Sequence, residues 1–154
     1  MVLICGLPAS GKSTLARELA PKIHAVRLDK DEWMVALGLD PWDDEARVRV
    51  EDQLWELTED LLVLGQSVIL EWGHWARVER DEKRIGARLL GVEVELRYLE
   101  VPLDELIERA ERRTATGEWT FAPMTRAHFE AWATIFEPPD EEELGLYDAP
   151  VGDA

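Results

Sequence analysis

Near its start the chain carries a stretch that constrains the rest. Gly6-Leu7-Pro8-Ala9-Ser10-Gly11-Lys12-Ser13-Thr14 fills every fixed position of G-x-x-x-x-G-K-[ST], the pattern of a phosphate-cradling loop. It follows the apolar run Val2-Leu3-Ile4-Cys5, long enough for a buried strand, and leads into a helical face with Leu15, Ala16 and Leu19. Strand, glycine loop and helix come in the order such a loop requires. Gly6 and Gly11 keep side chains away from the phosphates, and N–H groups at the helix start point at the anion. Gly6, Pro8, Ala9, Ser10, Gly11, Lys12, Ser13 and Thr14 are therefore the candidate ATP-binding set. Lys12 is expected on the β- and γ-phosphates, with the Ser13 hydroxyl on Mg²⁺.

A length of 154 residues suits one domain, large enough to bury a core without disulfides. The single cysteine, Cys5, falls in the first apolar run and reads as packing, which points to a reducing, cytoplasmic compartment. No apolar run reaches membrane-spanning length, and the chain opens directly on its first strand, so no signal peptide is expected. The net charge of −16 argues against broad, salt-driven nucleic-acid binding and favours a cationic ligand by steering, with solubility as the plainer account. Oligomeric state is not legible.

Along the chain, apolar runs alternate with helical spacing. Strands are expected at Val2–Cys5, Ala25–Leu28, Val68–Leu70 and Val92–Val101, and a last short one at Leu144–Tyr147. Pro21 is expected to end the first helix. Further helices are expected at about 32–37, 43–64, 76–90, 104–113 and 125–136, with a mobile loop over 114–123. Such alternation implies a parallel sheet between helices, with ligands at the carboxyl ends of the strands. The residues just after each strand are therefore the informative ones.

Three segments together resemble small P-loop kinases of the zeta-toxin and chloramphenicol-phosphotransferase-like group. They are the glycine loop, Arg27-Leu28-Asp29-Lys30-Asp31-Glu32, and Phe136-Glu137-Pro138-Pro139-Asp140. The resemblance implies a three-layer α/β fold, a five-stranded parallel sheet of order 2-3-1-4-5, and transfer of the ATP γ-phosphate to a hydroxyl. It places the catalytic aspartate after strand 2, at Asp29, where a helix cap is the alternative. It places Arg109 and Arg113, four apart on one helix face, in a lid over about 109–124 that closes on ATP.

The acceptor side is expected to comprise Asp31, Trp33, Glu71, Trp72, His74, Trp75 and Arg80. Glu71 stands where such folds commonly carry an aspartate on the metal, so contact through water or with substrate is the expectation. His74 has no second His or Cys at ligand spacing and reads as a polar pocket residue. Trp33, Trp72 and Trp75, three of seven tryptophans, suit an apolar or cation-binding wall. Polynucleotide kinases place an arginine three residues after the catalytic aspartate; here Glu32 stands there, against a nucleic-acid 5′ end. The expected activity is an ATP- and Mg²⁺-dependent kinase acting on a hydroxyl of a small metabolite or antibiotic. A nucleoside, sugar-nucleotide or polynucleotide kinase and an ATP-dependent, toxin-like switch are the alternatives.

Overall fold

A computed structural model describes residues 1–118 and 123–150. Four parallel strands, β1 (Val2–Cys5), β2 (Ala25–Leu28), β3 (Ser67–Gly73) and β4 (Glu95–Tyr98), form a sheet of order β2-β3-β1-β4. β1 is central and buried along its whole length, pairing Val2 with Ile69 of β3 and with Glu95 of β4. Its alternation sorts the core between two faces. Val2 and Ile4 pack with Ala16 and Leu19 of α1 (Lys12–Lys22). Leu3 and Cys5 pack in the larger core, with Met34 of α2 (Lys30–Ala36), Val50 and Leu54 of α3 (Asp44–Val63), and Ala87 of α4 (Arg77–Leu89). Burial pushes the Cys5 thiol up to about 11, consistent with inert packing.

A smaller core joins α5 (Leu103–Ala115) to α6 (Arg126–Ile135) through Leu106, Ile107, Ala110 and Phe129. Leu7 and Ala9 of the glycine loop pack against it. This contact fixes the arginine-bearing helix α5 beside the loop. The expected lid is thus helical as far as Ala115, and its residues 119–122 lie outside the described residues.

Two expectations of secondary structure fail for identifiable reasons. Pro21 does not end α1; it sits in the last turn, one residue before the terminal Lys22, and the helix runs on to the Ile23 cap. No fifth strand forms among the described residues. Asp140 caps a short helix, α7 (Glu141–Leu144), by accepting from Glu143 N–H at 2.7 Å. Glu143 is then drawn inward to a fully buried Arg80, whose Nε and Nη2 reach its two oxygens at 2.6 and 2.8 Å. Arg80 also donates to the His74 and Trp75 carbonyls at 2.9 and 3.1 Å. Beyond α7, Asp148 clamps Val94 by donating its N–H to the Val94 carbonyl and accepting the Val94 N–H, which holds the chain beside β4 without a ladder.

Arg80 therefore braces the fold and does not line the acceptor cleft, contrary to the sequence expectation. Replacing Arg80 by Lys keeps the charge but removes the planar fork, so buried acceptors go unmet. Arg80→Lys should lose about 1–3 kcal/mol of stability in urea denaturation. An unchanged unfolding midpoint would remove the bracing role.

Candidate active site

The glycine loop leaves the carboxyl end of β1 and enters α1. A Cβ at Gly6, whose φ is +152°, would stand 2.9 Å from Ser10 Oγ and 3.0 Å from the Leu99 carbonyl, so the loop closes only on glycine. Gly11 caps α1 without a side-chain bond, and the first turn of α1 carries no acidic residue. Its free N–H groups thus form an anion site. Lys12 Nζ donates to the Gly6 and Leu7 carbonyls at 3.0 and 2.8 Å, so the ammonium is held within the loop. Burial lowers its pKa to about 8, opposed first by the Asp31 carboxylate. Ser13 follows in the same turn of α1. Its hydroxyl suits a Mg²⁺ that takes most of its oxygens from phosphate and water. Among the described residues no three His, Cys, Asp or Glu side chains group closely enough to cage a metal.

β3 ends against this loop. Gly6 N–H donates to the Gly73 carbonyl at 3.2 Å. At Gly73, with φ +102°, a Cβ would lie 2.7 Å from Trp75 Nε1, so only glycine lets Trp75 fold back over the strand end. The result is a cleft of about 190 Å³ lined on one side by Pro8 and Lys12 and on the other by Asp31, Glu71, Trp72, His74 and Trp75. Phosphate loop and expected acceptor residues thus share one opening. Lys30, Arg47, Glu51 and Glu79 complete the wall.

Asp29 and Asp31 part ways. Asp29 caps α2: its Oδ1 accepts from Asp31 N–H at 2.9 Å and Glu32 N–H at 3.2 Å, while Oδ2 lies 3.4 Å from Arg27 Nη1. It does not line the cleft, whereas Asp31 does, with Arg47 at a loose 3.6 Å. Trp33 misses the cleft too. Two residues on from Asp31 is more than half a turn of helix, so Trp33 faces away and covers an apolar groove with Leu37, Leu39 and Val50.

Glu71 is buried, with Arg27 on Oε1 and no partner on Oε2. Burial, then the nearby Asp29 carboxylate, hold its pKa well above the usual carboxylate range, against the opposing Arg27 charge. His74 takes a left-handed φ of 47° after Gly73, and its ring lies 5.3 Å from that of Trp72. Neither ring nitrogen makes a hydrogen bond of ordinary geometry. Burial, reinforced by Lys83 and Lys30, lowers its pKa to about 3, so the imidazole is neutral at physiological pH. The unfolded chain binds that proton below about 6.5 and the folded one does not, so acid favours unfolding. Wild-type stability should fall between pH 7 and 5, and His74→Asn, which tolerates the same φ, should flatten that slope in paired urea titrations. Equal slopes would contradict the assignment.

Arg109 Nη1 donates to the Ala9 and Ser10 carbonyls at 3.3 and 3.4 Å, and Nη2 reaches Glu105 at 2.6 Å. It already lies on the glycine loop; Arg113, one turn on, is half-buried on the same helix. The motif after α6 also finds a place: Phe136 stacks on Tyr98 at 6.0 Å, and Glu137 donates its N–H to the Trp75 carbonyl and accepts the Arg77 N–H. Four cleft residues escaped sequence reasoning. Lys30 stands visible inside the strand-2 motif, but the ion pair of its buried ammonium with Glu51 joins α2 to α3 and has no sequence signature. Arg47 and Glu51 lie one turn apart on α3, a spacing shared by countless surface pairs, and Glu79 looked like any first-turn acid of a helix.

A parallel α/β sheet with this loop at its carboxyl edge defines a P-loop nucleotide-binding protein. Residues 1–139 match the profile of the AAA domain family AAA_33, and the chain belongs to that family. A search of curated protein sequences gives no match. Among solved structures it is similar to a Chloroflexus aurantiacus protein provisionally termed a kinase, at 25% identity and TM-score 0.71, covering 90% of this chain and 80% of that one. A gluconokinase from Sinorhizobium meliloti shares the fold at 20% identity and TM-score 0.64, covering 92% and 77%. The Mycobacterium tuberculosis APS kinase CysC, solved with AMPPNP and APS, does so at 22% and 0.60, covering 98% and 83%. The fold is thus that of P-loop kinases; the zeta-toxin-like subgroup does not emerge among these matches. Among the described residues no helix is long and apolar enough to cross a membrane.

Proposed function

We propose that the protein is an ATP-dependent kinase that transfers the γ-phosphate to a hydroxyl of a small molecule. The observation that carries this reading is the single cleft onto which both Lys12 of the phosphate loop and the carboxylate of Asp31 open. Lys12 and the N–H groups of α1 hold the phosphates, and Ser13 would hold a Mg²⁺, which would neutralise phosphate charge. Asp31, not Asp29, accepts the acceptor's proton as its oxygen bonds to the γ-phosphorus and the bond to the β-phosphate oxygen breaks, releasing ADP. Arg109, with Arg113 behind it, supplies charge from the lid side.

The acceptor is an uncharged polar or cationic metabolite. The cleft cations Lys30 and Arg47 are each paired, with Glu51 and Asp31, so among the described cleft residues other than Lys12 no spare cation awaits a phosphorylated acceptor. Those pairs also weaken the case for a cation made from acidic composition alone. A polynucleotide acceptor is disfavoured by the net charge of −16. The site of action we infer is the cytoplasm. A screen of hydroxyl compounds for acceptor-dependent ADP release tests the reading. Release that no acceptor alters, or nucleotide binding that only changes affinity for a protein partner, would replace it with a hydrolase or a switch.

A further inference from the structure

Arg27 belongs to no expected role, yet it contacts three carboxylates behind the cleft. It projects from β2 and is only 19% exposed. Its Nη1 contacts Glu71 Oε1 and lies 3.4 Å from Asp29 Oδ2, and its Nη2 contacts Glu32, which Arg17 of α1 holds from the other side at 2.7 Å. A guanidinium is the one side chain that can serve three carboxylates at once in a fixed plane. We propose that Arg27 is the positioning residue of this site: by taking one oxygen of Glu71 and one of Asp29, it fixes Glu71 at the cleft wall with its second oxygen free for the acceptor.

The geometry carries this. Glu71 Oε2 is buried and unpartnered in a residue that lines the cleft, while Oε1 is committed to Arg27. Arg27 is the cation shared by the adjoining Glu71 and Asp29 carboxylates; without it, Glu71, already held above the usual carboxylate range, would take up a proton more readily. Once protonated, Glu71 can share its proton with the adjoining Asp29, and an oxygen is lost to the cleft. The remaining charges near Glu71 do not replace Arg27. Lys12 faces it from α1 but is assigned to phosphate. On α2 and α3, Lys30 is paired with Glu51, and Arg47 with Asp31. Glu79 of α4 adds only negative charge, and the neutral His74 adds none.

The inference rests on the kinase reading for what the free oxygen binds, and its test separates the two. In the ligand-free, full-length protein with ¹³C-labelled glutamate, the Glu71 carboxyl, assigned through Glu71→Gln, is titrated by NMR. Arg27→Met should raise its midpoint by at least about one pH unit. Arg27→Lys, which cannot hold both carboxylates, should raise it by less. An unmoved Glu71 midpoint in a folded variant, even with lowered thermal stability, would make Arg27 merely structural and overturn the proposal; if Arg27→Met does not fold, Arg27→Lys decides alone. A fluorescent ATP analogue should bind both variants as it binds wild type. Failure of wild type to bind it would sink the kinase reading and leave the Glu71 result standing.

Discussion

Lys12→Ala should lose roughly 10²–10³-fold in turnover while the protein stays folded. The ammonium has two hydrogen bonds, both to carbonyls of its own loop, and burial already lowers its pKa to about 8. Truncation thus removes a group that the fold holds at some cost, and the loop carbonyls it leaves can turn to water. What disappears is the charge aimed at the β- and γ-phosphates as negative charge shifts toward the leaving oxygen. The measurement pairs acceptor-dependent ADP release with a thermal melt. Near-normal turnover in a folded variant would end the assignment of this loop to catalysis.

Asp31→Asn should cost roughly 10²–10⁴-fold in kcat, the usual scale for a positioned base, and leave ATP affinity nearly intact. Asp29→Asn should cost about tenfold at most, because asparagine caps a helix about as well as aspartate. The contrast follows from where the two carboxylates sit. Asp29 gives one oxygen to the Asp31 and Glu32 amides and turns the other toward Arg27, whereas Asp31 looks onto the cleft that holds Lys12. Steady-state kinetics on both variants decide between them. A severe Asp29→Asn beside a mild Asp31→Asn would restore Asp29 as the base.

Much of the fold was legible because its signals are local. The glycine loop, the doubly buried β1 and the helical spacing of α3 each declare themselves within a few residues. Leu144-Gly145-Leu146-Tyr147 misleads because its apolar run is as short as a strand, while the contacts that hold its neighbours, Glu143 with Arg80 and Asp148 with Val94, are distant in sequence. The candidate site was half legible for a related reason. Position after a strand identified Asp31, Glu71, Trp72, His74 and Trp75 as cleft residues. It does not tell which face of α2 turns inward, which leaves Trp33 outside the cleft and Asp31 rather than Asp29 on its wall. Nor does it single out Arg47 and Glu51 of α3, which line the same cleft.

The central claim is that phosphate leaves ATP for a hydroxyl held in this cleft. The most direct measurement is ³¹P NMR of the protein with Mg²⁺, ATP and the acceptor that most accelerates ADP release. The account predicts a new phosphomonoester resonance growing in step with ADP, abolished in Lys12→Ala and nearly so in Asp31→Asn. Inorganic phosphate as the sole product, in step with ADP and indifferent to the acceptor, would contradict it.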